Sequence, residues 1–300
     1  MLGYIRHCNK PAAAAGDIAP KGVSVHSIHM PELPEVETTR RGIAPHVVGK
    51  RIVRLTVYDP RLRWPVPADL PSNVEGRRID AIERRSKYLL FRLGEDTLVF
   101  HFGMTGSLRF YRTAPPRRPH DHVDLFLEDG SRLRYHDPRR FGAMLLVEGP
   151  VTGHPLLARL GPEPFEPAFD ARYLWATLRP RTAAIKLALM DNAVVVGVGN
   201  IYASEALFRA GIRPATPARK VSRPRLARLV DAVREVLGAA IESGGSTLRD
   251  YVDAGGRPGR AQHGHFVYGR EGKPCRVCGA PIRMRRLGAR ASYYCPACQR

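Results

Sequence analysis

The chain has 300 residues, enough for two ordinary domains each with its own core, and its 48 Lys and Arg against 28 Asp and Glu give a formal net charge of +20. That imbalance is too large for an ordinary cytosolic metabolic enzyme and points to a polyanionic partner. No run approaches the 18 or more uncharged apolar residues of a membrane-spanning helix, and no basic amphipathic helix stands out as a surface anchor, so nucleic acid is preferred over membrane.

Residues 1–29 contain one acid, Asp17, an alanine run at 12–15 and no hydrophobic core of the secretory kind. From Glu32 to about Val48 the apolar spacing is helical, with Glu32, Glu35 and Glu37 gathered where acids suit the positive end of a helix dipole. Between Arg51 and Val147 the period switches to two, in runs at 52–57, 88–93, 97–102 and 122–128. Asp129-Gly130 between two alternating runs signals a hairpin. This half reads as a helix followed by an antiparallel β-sandwich or barrel.

Prolines and glycines crowd 150–167 and mark a linker. Helical patterns follow at 170–178, 183–191, 201–210 and 222–242, with Asn200 at the expected N-cap of the third. A Gly-rich stretch from Gly255 to Gly269, carrying His263 and His265, reads as a loop. The expected fold is α+β and multidomain: an extension at 1–30, a β-sandwich domain at 31–150, a linker at 151–168, a helical domain at 169–268, and a cysteine module at 269–300.

In that module, Cys275-x2-Cys278-x16-Cys295-x2-Cys298 offers two pairs of soft thiolates, the pattern of one closed, structural Zn2+. Arg283, Arg285, Arg286 and Arg290 lie between the pairs, where a hairpin would present them to a polyanion. With Cys8 as the fifth cysteine, the usage fits a reducing, cytoplasmic compartment.

Pro31-Glu32-Leu33-Pro34-Glu35-Val36-Glu37 packs two prolines and three acids into seven positions. Helix capping accounts for part of it. Placed directly after Met30, the segment also resembles the N-terminus of the formamidopyrimidine-DNA glycosylase and endonuclease VIII superfamily. Further blocks resemble that family in the same order: 85–90 (RSKYLL), 101–109 (HFGMTGSLR), 120–124 (HDHVD), 137–142 (DPRRFG), 160–164 (LGPEP), and 190–192 with 196–205 (MDN, VGVGNIYASE). Together with the zinc spacing, the resemblance runs from Met30 to the C-terminus.

The resemblance implies a bifunctional glycosylase and AP lyase that excises oxidised purines from double-stranded DNA, and a monomer is expected because the sequence shows no heptad or other dimer signal. Pro31, exposed by removal of Met30, is the implied nucleophile, a secondary amine with a useful neutral fraction near pH 7. Glu32 is the implied general acid/base at the sugar O4′, with Glu35 orienting the site. Lys87, placed on a strand, and Arg290 are implied to hold phosphate and assist elimination. His120 and Asn200 are implied phosphate ligands.

Met104, Arg139 and Phe141 are implied to fill the gap left by the extruded nucleotide, Arg139 pairing with the widowed base. Hydrophobic core is the other reading of Met104 and Phe141. This trio favours the purine branch over an endonuclease VIII-like pyrimidine glycosylase, although Gly264 and His265 depart from the family's usual lesion loop. A third reading, DNA binding without catalysis, applies if residues 1–30 are retained, because the Pro31 nitrogen is then a tertiary amide.

Overall fold

The computed structural model describes residues 31–245 and 264–300. The first helix, α1 (Leu33–Val47), starts at the extended N-cap Glu32, whose backbone N–H donates to Glu35 Oε2 at 2.9 Å. Pro34 is harmless in the first turn, where N–H groups have no partner within the helix. The apolar side of α1 is divided between two cores. Leu33 enters the helical domain's core, whereas Val36, Ile43 and Val47 enter the sandwich.

The sandwich contains β1 (Ile52–Val57), a short helix α2 (Leu70–Val74), then β2 (Ala81–Arg85), β3 (Tyr88–Leu93), β4 (Asp96–His101), β5 (Ser107–Tyr111), β6 (Asp121–Leu127), β7 (Arg132–His136) and β8 (Ala143–Val147). They form two four-stranded sheets, ordered β1-β6-β7-β5 and β2-β3-β4-β8, with every pairing antiparallel. The alternating runs at 52–57 and 88–93 are strands as expected, and the other two are displaced by one residue. At the predicted β6–β7 hairpin, Gly130 adopts φ +82°.

Strand β3 is apolar on both faces. Leu89, Phe91 and Leu93 fill the sandwich, while Leu90 points outward into a smaller core with Val99, Val147, Val151 and Leu157. The proline-rich connector therefore lies packed on the outside of the second sheet. Its Glu163 accepts from Arg84 at 2.7 Å, Arg85 at 3.1 Å and the Ser86 amide at 2.7 Å.

The helical domain comprises α3 (Ala171–Leu178), α4 (Ile185–Leu189), α5 (Asn200–Arg209) and α6 (Arg223–Glu242). The pattern at 183–191 yields only the five residues of α4, because Ala183 and Ala184 pair in extended form with Ala218 and Pro217. A hairpin of β9 (Arg283–Leu287) and β10 (Arg290–Tyr294) closes the chain. The α+β architecture, with helix, sandwich, helical domain and C-terminal hairpin, is as the sequence predicts.

Candidate active site and nucleic-acid interface

Glu32 forms a capping box with Glu35 at the start of α1, and its carboxylate also caps α5. Oε2 accepts the Gly199 amide at 2.6 Å and Oε1 the Ile201 amide at 2.9 Å, at the positive end of the α5 dipole. Burial of this carboxyl outweighs those donors and the nearby Lys87 ammonium, and its pKa rises to about 7. Pro31 is buried immediately before it. Glu35 is held between the Glu32 amide and the Tyr202 hydroxyl, which donates at 2.7 Å.

Asn200 differs from expectation. Gly199 is the N-cap and Asn200 the first helical residue, and the carboxylate from α1 takes the Gly199 and Ile201 amides at this end of the helix. The Asn200 side-chain amide instead donates to the Tyr268 hydroxyl at 3.3 Å. Gly197, at φ +79°, is pressed against Leu33, so a Cβ there would lie 2.5 Å from that side chain. The glycines of 196–200 thus let α1 and the α5 N-terminus touch.

Lys87 also differs. Arg85 pairs with Tyr88, leaving Ser86-Lys87 as a two-residue hairpin turn, and Ser86 takes φ +56°. The turn rests on Glu163 and projects a buried lysine toward the carboxylates. Burial lowers the Lys87 pKa, Glu32 and Glu35 oppose that, and the Arg290 charge adds to it. Arg290 opens β10 and is exposed. Pro31, Glu32, Lys87 and Arg290 are therefore gathered at one place from α1, the β2–β3 turn and the C-terminal hairpin.

Sequence reasoning missed Lys186. This α4 lysine is fully buried, and its ammonium donates to the Ala291 carbonyl at 2.8 Å and Ser292 Oγ at 3.0 Å, pinning β10 beside Arg290. Burial brings its pKa down to about 7 against the pull of Glu32. The available signal was a lysine inside the apolar run Ile185-Lys186-Leu187-Ala188-Leu189.

Met104, Arg139 and Phe141 come together on a second surface. Gly103 at φ +60° lies so close to the Phe141 backbone that a Cβ would stand 2.3 Å from its carbonyl carbon. The Arg139 guanidinium stacks on the Phe141 ring at 4.8 Å; both residues are exposed and Met104 is half-buried. Phe141 is thus not core. The missed organiser of this surface is Asp137, buried, which accepts from Thr105 Oγ1 at 2.6 Å, the Gly142 amide at 2.8 Å and the Tyr135 hydroxyl at 3.4 Å.

His120 is exposed at φ +71°, and its carbonyl takes the Asp137 amide at 3.0 Å, which ties it to the same loop. The lesion-loop expectation, 255–269, falls mostly on 255–263, outside the described residues. At its described end, buried Glu205 accepts the amides of Phe266, Val267 and Tyr268 at 2.8, 3.0 and 2.8 Å.

The four cysteine sulfurs at 275, 278, 295 and 298 all lie within 4.8 Å of one another. Tetrahedral Zn2+ with bonds of about 2.3 Å separates sulfurs by about 3.8 Å, so the thiols fit one such ion with no position left for substrate. Amides of Val277 and Cys298 point at Cys275 and Cys295 sulfurs at 3.5 and 3.4 Å, as thiolate ligands favour. Among the described residues, no helix is long and apolar enough to cross a membrane.

Comparison with known proteins matches three family models in chain order. The formamidopyrimidine-DNA glycosylase N-terminal domain covers residues 30–144, that enzyme's H2TH domain residues 160–252, and a zinc finger found in FPG and IleRS residues 272–300. Over 271 residues the chain is 58% identical to formamidopyrimidine-DNA glycosylase of Methylococcus capsulatus and 57% to that of Stutzerimonas stutzeri, covering 90% of this chain and all of each relative.

The fold superposes on the crystal structure of MutM (Fpg) from Thermus thermophilus with TM-score 0.81 and 45% identity, over 90% of this chain and 98% of that one. A complex of Lactococcus lactis Fpg with abasic-site DNA gives TM-score 0.83 at 34% identity, over 90% and 99%. Fold, buried acid and zinc hairpin define a DNA glycosylase scaffold. The chain belongs to the formamidopyrimidine-DNA glycosylase family.

Proposed function

We propose that the protein excises oxidised purines, 8-oxoguanine and formamidopyrimidines, from duplex DNA and then cleaves the strand at the resulting site, with Pro31 as nucleophile. The observation that carries this reading is the placement of Pro31-Glu32 against the α5 N-terminus, with Lys87, Lys186 and Arg290 around the acid. The secondary amine of an N-terminal Pro31 attacks C1′, the base leaves with the glycosidic electron pair, and the proton shed by the Pro31 nitrogen passes to the departing base. Glu32, poised near neutrality, protonates O4′ as the ring opens, giving an iminium ion. That cation acidifies the C2′ proton, whose removal expels the 3′ phosphate; a second elimination releases the 5′ phosphate.

Arg290, held by Lys186, carries the fixed charge that faces these phosphates. Asn200 and His120 contact the backbone, while Met104, Arg139 and Phe141 occupy the vacated stack. Zn2+ holds the hairpin and takes no part in the reaction. All of this requires Pro31 to begin the chain, by initiation at Met30 and its removal or by cleavage after residue 30.

Borohydride trapping tests it. Protein beginning at Pro31 is expected to form a covalent adduct with an 8-oxoguanine:cytosine duplex, and the form retaining residues 1–30 to form none. No adduct from the Pro31 form would refute the mechanism. Activity confined to 5-hydroxyuracil would place the protein with the pyrimidine glycosylases.

A further inference from the structure

Between Ala171 and Val230 the sequence holds eleven Lys and Arg residues and only two acids, Asp191 and Glu205. Neither acid neutralises the surface. Asp191 is engaged by Arg181 at 2.7 Å, and Glu205 is buried under the amides of residues 266–268. Arg179, Arg219, Lys220 and Arg223 are exposed and form no ion pair among the described residues. The exposed acids that flank this stretch, Asp170 at the α3 N-cap and Asp231 and Glu235 on α6, make no ion pair with these four cations: Asp170 accepts the Tyr173 amide at 2.6 Å and Glu235 pairs with Arg209 at 2.6 Å.

The four cations are brought to one face by packing. Helix α3 lies against both α6 and the turn at Ala218–Lys220. Arg223 and Arg179 both stack on the Trp175 ring, at 4.1 and 4.8 Å. A guanidinium laid on an aromatic face keeps its in-plane N–H groups free for phosphate oxygens. Unopposed charge of this density costs stability, and a polyanion offsets that cost.

The face is also continuous with the zinc hairpin. The Arg219 amide donates to the Arg181 carbonyl at 3.0 Å, and Ala184 bridges to Pro217. A few residues on, Lys186 holds Ala291, and Leu187 is 4.0 Å from the position a Cβ would take on Gly288 in the hairpin turn. Backbone contacts thus connect the zinc hairpin through 181–187 to the 218–220 turn and Trp175, while the two cations on the way are already engaged, Arg181 by Asp191 and Lys186 by the hairpin.

We propose that this α3–α6 face is a second contact for the DNA backbone, engaging duplex beyond the lesion. The inference rests on the glycosylase reading above. Two variants test it, R179Q/R223Q on the Trp175 platform and R219E/K220E on the turn. Their affinity is measured across a salt series for two abasic-analogue duplexes, one ending a helical turn from the lesion and one extended by several turns.

On the long duplex each variant is expected to bind more weakly, the slope of log Kd against log salt falling by about two, at about 0.9 per phosphate. On the short duplex, affinity and borohydride trapping are expected to match the parent, and unchanged melting temperatures certify the fold. Parental slopes on the long duplex would overturn the proposal. So would equal losses on both duplexes, which would put the residues inside the lesion footprint, or a loss confined to phosphatidylglycerol vesicles. A parent protein that binds neither duplex would overturn the glycosylase reading itself.

Discussion

Glu32 and Gly199 are 167 residues apart in the chain, and the carboxylate of one accepts the amide of the other at 2.6 Å. Through this contact the carboxyl next to Pro31 is positioned by the helical domain, so the two halves of the protein share one site.

Gly199→Ala tests that dependence. A Cβ at residue 199 would stand 2.3 Å from Glu32 Cδ and 2.5 Å from Oε1, in a place where α1 and the α5 backbone leave no room. The acid must move away from its amide donors. Since general acid catalysis by a positioned carboxyl is worth about 100-fold or more in rate, single-turnover excision should fall by about that factor. Affinity for an abasic analogue, set mainly by phosphate contacts, should stay within a few-fold. An unimpaired excision rate would show that the carboxylate's seat on α5 is irrelevant to chemistry.

The raised pKa of Glu32 gives a pH signature. In the proposed mechanism the protonated acid donates to O4′, so its fraction, and with it the ring-opening rate, should decline as pH rises through about 7. Glu32→Gln should be slow at every pH and lack that alkaline decline. The same shift affects stability. Folding favours the protonated carboxyl, so the contribution is complete below the ordinary value of 4.5 and lost as pH rises through about 7. Melting temperature of the parent should therefore fall relative to Glu32→Gln between pH 5 and 8; parallel curves would contradict the assignment.

Much of the scaffold was legible because local patterns carried it. Period-two runs with β-branched and aromatic residues became strands, and the cysteine spacing became a metal site. The pairings β1–β6 and β4–β8, and the seating of α1 across two cores, depend on contacts between distant segments that no local pattern encodes. Lys186 was hidden for the same reason. Its apolar neighbours placed it in a buried helix, but its partners belong to a hairpin more than 100 residues later.

Asp137→Asn should loosen the surface that carries Met104, Arg139 and Phe141. The carboxylate takes Thr105, Gly142 and Tyr135 together, and Thr105 in turn accepts the Arg139 amide at 3.2 Å. An amide group offers one acceptor oxygen and turns its NH2 toward a donor, so about 1.5–3 kcal/mol of stability should be lost in thermal or denaturant unfolding. Excision from a paired 8-oxoguanine duplex should slow more than cleavage of a preformed abasic site, which no longer needs a base extruded. Equal slowing of both would detach this loop from extrusion.

Metal removal and Lys186→Met should converge on Arg290 by different routes. Cys275 and Cys295 sit in a small core with Phe208, Val267 and Ile282, so chelating Zn2+ should release the hairpin as a unit. Lys186→Met keeps the zinc core and removes only the ammonium that holds Ala291 and Ser292, leaving a better-solvated, less constrained β10 at Arg290. The chelated protein should lose both DNA affinity and borohydride trapping, measured alongside released zinc. Lys186→Met should retain its zinc and most of its affinity, yet slow strand cleavage relative to base release, because Arg290 is no longer fixed opposite the departing phosphate. If the variant cleaves at the parental rate, the buried lysine serves packing alone and Arg290 needs no anchor.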